Sequence, residues 1–121
     1  MKLVQVAQHA KDLDRATAFY RELLGVEPTA RFVPPGLVFF DLDGVRLLLD
    51  DKAPSALLYL AVPDVRISIE QFRDRFRVVS EAAVIFHHDD DTLGPAGTDE
   101  WQGFIEDPEG NTVGLVSQLP S

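Results

Sequence analysis

The sequence predicts an α+β fold made of one duplicated module. Each copy is a strand, a helix and three further strands, and the two copies together form an open, cupped mixed sheet. Two matches between the halves and their common order predict it. "AKDLDRATAFYREL" (10–23) lies over "VPDVRISIEQFRDR" (62–75), so that Asp12, Leu13 and Tyr20 fall on Asp64, Val65 and Phe72 at a constant offset of 52. "DGVRLLL" (43–49) lies over "EGNTVGL" (109–115), with Gly44 on Gly110 at an offset of 66. Both matches occur in the same order in each half, which is how an internal duplication reads in sequence.

The elements follow in order. "LVQVAQHA" alternates and reads as a first strand. Asp12 is an N-cap for a helix in which Leu13, Ala16, Phe19, Tyr20, Leu23 and Leu24 recur at helical spacing, and Gly25 is its stop. "VFFDLDGVRLLLD" reads as two strands joined at Asp43-Gly44, a favoured hairpin dipeptide. "ALLYLAV" is a buried strand, and "DVRISIEQFRDRF" is a second amphipathic helix capped by Asp64, which places the helices near 12–24 and 64–76. "RVVSEAAVIFHH" supplies strand, "DDDTLGPAGTDE" a loop, and "EWQGFIEDPEGNTVGLV" a closing hairpin. No stretch reads as a linker, so residues 1–121 form a single domain of two modules, about 1–52 and 53–121.

Strand parity assigns the faces, because successive side chains point to opposite sides of a sheet. Val4, Val6, Val45, Leu47, Leu49, Leu58, Leu60, Val62, Val113 and Leu115 are expected to pack on helices. The opposite face then carries Gln5, Ala7 and His9, then Arg46, Leu48 and Asp50, then Leu57, Tyr59 and Ala61, and finally Thr112, Gly114 and Val116. The repeat relates Gln5 to Leu57 and Leu48 to Gly114, so these four are expected to converge in the cup. Gly114 is anomalous there: glycine inside a strand weakens it and marks a close approach by a ligand or another backbone.

Composition narrows the function. A formal net charge of -9 argues against nucleic acid and against anionic membrane as partners. With no cysteine, disulfides, thiolate catalysis and cysteine zinc sites are excluded. "MKLVQVAQHAKD" reads as neither a signal peptide nor a membrane span, and the expected location is cytoplasmic. No serine has a nucleophile-elbow context, and there is no phosphate loop.

"KDLDRATAFYRELLG" followed by "FIEDPEGNTVGLV" resembles the vicinal oxygen chelate superfamily of glyoxalases, bleomycin resistance proteins and extradiol dioxygenases, over nearly the whole chain. "EWQGFIEDPEGNTVGLVSQLP" also resembles an uncharacterised bacterial glyoxalase-like branch. The resemblance implies paired βαβββ modules, usually in a homodimer. Metal-using members carry His, Gln or Glu ligands on the first and last strand of each module, which here are Gln5, Leu48, Leu57 and Gly114. Two leucines and a glycine cannot coordinate a divalent ion, and a shift of one residue brings in only Leu47, Leu49 or Leu58.

Other residues offer chemistry, each with a plainer alternative. His9 is a general base near neutrality or a strand-end histidine. Arg46 binds a substrate carboxylate or pairs with Asp50 at the rim. Tyr59 and Trp101 stack on a flat ligand or pack in the core or an interface. "HHDDD" (87–91) is a solvated acidic loop, or a metal site in which His88 and Asp89 meet Asp99 or Glu100. Two functions follow. The first is a metal-free protein without a cofactor that binds a small organic molecule in the cup, in sequestration or resistance. The second is a lyase, isomerase or dioxygenase whose metal, such as Zn, Ni, Mn or Fe, is held at a displaced site.

Overall fold

Side-chain caps decide where the helices begin. In the computed structural model, which describes residues 3–121, Asp12 has extended backbone and accepts from the Arg15 N–H, opening α1 (Leu13–Leu24). Gly25 closes α1 at φ 70°, a left-handed conformation that costs glycine little. Asp64 caps α2 (Val65–Phe72) in the same way. This second helix ends four residues before the expected position 76. "FRDRF" has no glycine to close a left-handed cap, and the chain tightens into a turn in which the Arg75 and Phe76 N–H groups both donate to the Phe72 carbonyl.

Each half has the order strand, helix, three strands. β1 (Gln5–His9), α1, β2 (Ala30–Phe32), β3 (Leu37–Leu42) and β4 (Val45–Asp50) make the first. β5 (Leu58–Ala61), α2, β6 (Arg77–His88), β7 (Thr98–Glu106) and β8 (Thr112–Pro120) make the second. Their sheets are four-stranded and mixed, ordered β1-β4-β3-β2 and β5-β8-β7-β6, with β1–β4 and β5–β8 parallel. The duplication extends to register. Ala7 pairs with Leu48 in the first sheet and Tyr59 with Gly114 in the second, the same pair displaced by the two sequence offsets. The β3–β4 hairpin turns at Asp43 (φ 50°) and Gly44 (φ 92°), as that dipeptide favours.

By contact density the chain divides into residues 1–56 with 107–111, and residues 57–106 with 112–121. In the first unit, Val38, Phe40, Leu47 and Leu49 are fully buried with Ala16 and Tyr20 of α1. Val4, expected to face inward, instead lies outside β1 and is 56% exposed. Gln8 takes an inward position, buried and donating to the Tyr20 hydroxyl at 3.1 Å. In the second unit, Val113, Leu115 and Ile105 are fully buried with Val65 and Ile69 of α2. A Cβ on Gly103 would meet Ile69 and Val65 at 3.0 Å, so glycine is what lets α2 sit this close to β7.

Candidate functional site

The face of the first sheet opposite α1 follows from its register. Gln5, Arg46 and Asp41 lie in one cross-strand row, Ala7, Leu48, Phe39 and Ala30 in the next, and His9, Asp50, Leu37 and Phe32 in the third. A groove of about 400 Å³ opens over this face, with Gln5, Arg46 and Asp41 at its polar end and Ala30, Phe32 and Phe39 along its apolar side. The Phe32 and Phe39 rings meet edge to face with centroids 6.1 Å apart, and Phe32 is half exposed. Arg46 Nε donates to Gln5 Oε1 at 3.0 Å, which orients the guanidinium. Among the described residues no carboxylate lies within ion-pair distance of Arg46. Asp50, the partner expected at the rim, accepts from the Lys52 N–H instead.

The remaining expected residues of this unit are less available. Leu48 is buried. His9 is held through its backbone, its N–H donating to Ser55 Oγ and its carbonyl accepting from Asn111 Nδ2. Asn111 belongs to the "DPEGN" turn, which Asp107 organises by accepting from the Tyr20 hydroxyl, the Glu109 and Asn111 N–H groups and Asn111 Nδ2. The family-like motifs of helix and turn are thus a structural joint.

In the second unit the face opposite α2 carries Tyr59, Gly114 and Phe104 in one row, Ala61, Val116 and Gln102 in the next, and Gln118 with Glu100 beyond. Tyr59 and Phe104 stand edge to face, centroids 6.0 Å apart, directly over Gly114. A Cβ added at Gly114 would lie 2.9 Å from Tyr59 Cδ1, 3.0 Å from Phe104 Cε1 and 3.2 Å from the Leu58 carbonyl oxygen. The close approach that glycine permits is therefore made by two aromatic rings. Leu57 and Tyr59 are about half exposed. Trp101 lies on the other face: it pairs with Ser117, whose Oγ accepts from the Val65 N–H at the start of α2, and the Arg66 guanidinium covers the indole at 4.7 Å.

His88 is almost completely buried, with Nε2 3.0 Å from Glu100 Oε1. Gln102 and Gln118 also donate to Glu100, at 2.8 and 3.2 Å. Burial alone raises a carboxyl pKa, but the amides of Gln118 and Gln102 and the His88 imidazole outweigh it and hold Glu100 below its ordinary value. The neighbouring His87 points away to Asp99, with Nδ1 2.8 Å from Oδ1, as adjacent strand residues must. Among the described residues no group of three His, Cys, Asp or Glu side chains is placed to hold a metal.

Phe39 and Phe104 were missed because they lie on β3 and β7, whose faces parity left unassigned, and only their pairing with Leu48 and Gly114 places them beside recognised positions. Gln102 and Gln118 were missed because their meeting depends on the β7–β8 register.

The family model for the Glyoxalase/Bleomycin resistance protein/Dioxygenase superfamily matches residues 2–115, and the chain belongs to that superfamily. No curated protein matches it. Among solved structures, a lactoylglutathione lyase from Agrobacterium tumefaciens is 26% identical with a TM-score of 0.65, over 95% of this chain and 92% of that one. TnmS3, an antibiotic binding protein from Streptomyces sp. CB03234, is 21% identical with a TM-score of 0.65, over 100% of this chain and 97% of that one. A glyoxalase/bleomycin resistance protein/dioxygenase from Alicyclobacillus acidocaldarius is 19% identical with a TM-score of 0.65, over 95% and 89%. Among the described residues no helix is long and apolar enough to cross a membrane.

The residues at the superfamily's metal positions do not fit a divalent ion. Gln5 is engaged by Arg46, Leu48 and Leu57 carry no donor atom, and aromatic carbon fills the space a side chain at position 114 would need.

Proposed function

We propose that this superfamily member binds a small organic molecule without a resident metal. The observation that carries the reading is the aromatic packing over Gly114, which leaves no room for the acidic ligand a metal-dependent relative would use. The fold alone does not choose between chemistries, because it is shared by a protein described as a lyase and by one described as antibiotic binding. The choice rests on side chains. The first module offers an open groove with two aromatic rings, an amide, an arginine and the Asp41 carboxylate, which suits binding of a small polar aromatic molecule.

A homodimer is part of the proposal. Strand β6 is an edge strand of its sheet, and Val84, Ile85 and Phe86 on it are about half exposed, which favours contact with a second copy. Sedimentation equilibrium at micromolar concentration is expected to exceed the 13.4 kDa of one chain.

The test of function has two arms. Protein purified in the presence of Zn²⁺, Ni²⁺, Mn²⁺ or Fe²⁺ and then desalted is expected to retain no stoichiometric metal. A thermal-shift screen of small organic molecules is expected to give stabilising hits whose NMR perturbations map to Arg46, Phe32 and Phe39. One tightly held equivalent of metal, or a screen with no hit, overturns the reading.

A further inference from the structure

We infer that the groove of the first module selects planar aromatic molecules bearing a carboxylate, with Arg46 as the residue that reads the charge. This rests on the groove being the binding site proposed above. It adds the class of ligand.

Three features converge on it. Arg46 uses Nε on Gln5 Oε1, so the plane of the guanidinium is fixed while its two terminal nitrogens make no hydrogen bond or ion pair among the described residues. Those nitrogens present the parallel donors that a carboxylate accepts in bidentate fashion. Phe32 and Phe39 stand on the same face in adjacent register rows, their rings edge to face at 79° beside the groove. A flat ring packed there is worth more than the same area of aliphatic surface.

Asp41 shares the polar end of the groove with Arg46. It is the cross-strand neighbour of Arg46, and its Oδ1 is occupied by the Gly44 N–H at 3.1 Å, with Oδ2 left to accept from a ligand. Because Asp41 stands at the same polar end as Arg46, it disfavours an anion turned to its own side and leaves the Arg46 side as the place for a ligand carboxylate. 4-Hydroxybenzoate, which carries a carboxylate for Arg46 and a flat ring for Phe32 and Phe39, serves as the probe.

The inference is tested by NMR titration of the full chain with 4-hydroxybenzoate, its neutral amide 4-hydroxybenzamide, and tyramine as a cationic control. The carboxylate is expected to bind roughly tenfold tighter than the amide, the scale of one charge-assisted contact at a half-open site. Arg46→Gln is expected to erase that preference while keeping the weaker binding of the amide. Phe39→Ala is expected to weaken carboxylate and amide alike. Arg46 is exposed, so Arg46→Gln should fold, and an unchanged urea midpoint verifies it.

Equal binding of all three probes, or a preference for the carboxylate that survives Arg46→Gln, overturns the assignment of ligand class and leaves the metal-free binding reading standing. If the groove binds none of the probes while the screen finds other ligands that perturb it, the class is again wrong and the site is right. If Phe32→Ala or Arg46→Gln shifts a monomer–dimer equilibrium in sedimentation and no probe binds, a second copy covers the groove and the inference falls.

Discussion

The Tyr20 hydroxyl donates to Asp107 Oδ2 at 2.8 Å, joining helix α1 to a turn 87 residues away. The same hydroxyl accepts from buried Gln8 Nε2. Desolvation first, and the Asp107 charge next, push the phenol pKa far above its ordinary value, so this proton stays on the tyrosine. Tyr20→Phe removes the donor to Asp107 and the acceptor for Gln8 at once, in a site without water access. The expected cost is about 1–3 kcal/mol, read as a lower urea midpoint at unchanged slope.

Glu109 extends that joint to the start of α1. Its carboxylate accepts from the Lys11 and Asp12 N–H groups and from Arg15 Nη2 at 2.7 Å. Burial would raise its pKa, but Arg15 and the two backbone donors prevail and lower it. It therefore acts as a remote cap, placing negative charge at the positive end of the helix dipole. Glu109→Ala is expected to cost about 1–2 kcal/mol by the usual size of capping and dipole effects, with Glu109→Gln retaining part of it. Chemical denaturation of the two variants checks both values.

Gly114 gives a packing prediction. A methyl group at this position overlaps Tyr59 and Phe104 and approaches the Leu58 carbonyl, and a backbone atom cannot swing away as a ring can. Gly114→Ala is expected to destabilise by about 1–3 kcal/mol, the range of overpacked sites. In the Tyr59→Ala background the same substitution is expected to cost markedly less, because the nearest contact is gone. A double-mutant cycle by thermal and urea unfolding reads the coupling; strict additivity would show that the ring is not what excludes a side chain there.

Much of the fold was legible because duplication leaves a trace at every level. The offsets of 52 and 66 map the pair Ala7 and Leu48 onto Tyr59 and Gly114, and the two sheets have that register. Asp12, Gly25, Asp43-Gly44 and Asp64 act where their conformational preferences put them. What escaped was set by pairing between strands. Strand β2 is three residues long, too short for a periodic pattern, yet it supplies Phe32 to the groove. For Trp101 and Tyr59 the sequence left stacking on a ligand and packing both open, and only the pairing of Trp101 with Ser117 puts the indole on the helix side beneath Arg66. Glu100 was within reach of the sequence as a group that His88 could meet, and the β6–β7 pairing puts it one strand away.

Glu100 supplies the pH dependence. Three side chains, His88, Gln102 and Gln118, hold this carboxylate, and the Gly94 backbone packs so closely against two of them that a Cβ there would lie 2.9 Å from His88 Cε1 and 3.2 Å from Gln118 Nε2. Two amide groups and an imidazole N–H all donate, so the ionised form is the one the site accommodates. Its folded pKa is accordingly depressed, despite the opposing effect of burial. A carboxyl depressed on folding contributes stability that is complete above its unfolded pKa and is lost as pH falls through the folded value. The wild type is therefore expected to lose stability on acidification through and below the ordinary carboxylate range. Glu100→Gln presents an NH₂ group to a cluster already full of donors, which leaves one buried donor unpaired at a cost of about 1–3 kcal/mol near neutrality. It also removes one titrating group, so its stability curve should fall less steeply in acid and approach the wild-type curve there. Urea midpoints from pH 7 down to pH 3 measure both effects. A variant curve that runs parallel to the wild type throughout would mean that Glu100 has no part in the acid dependence.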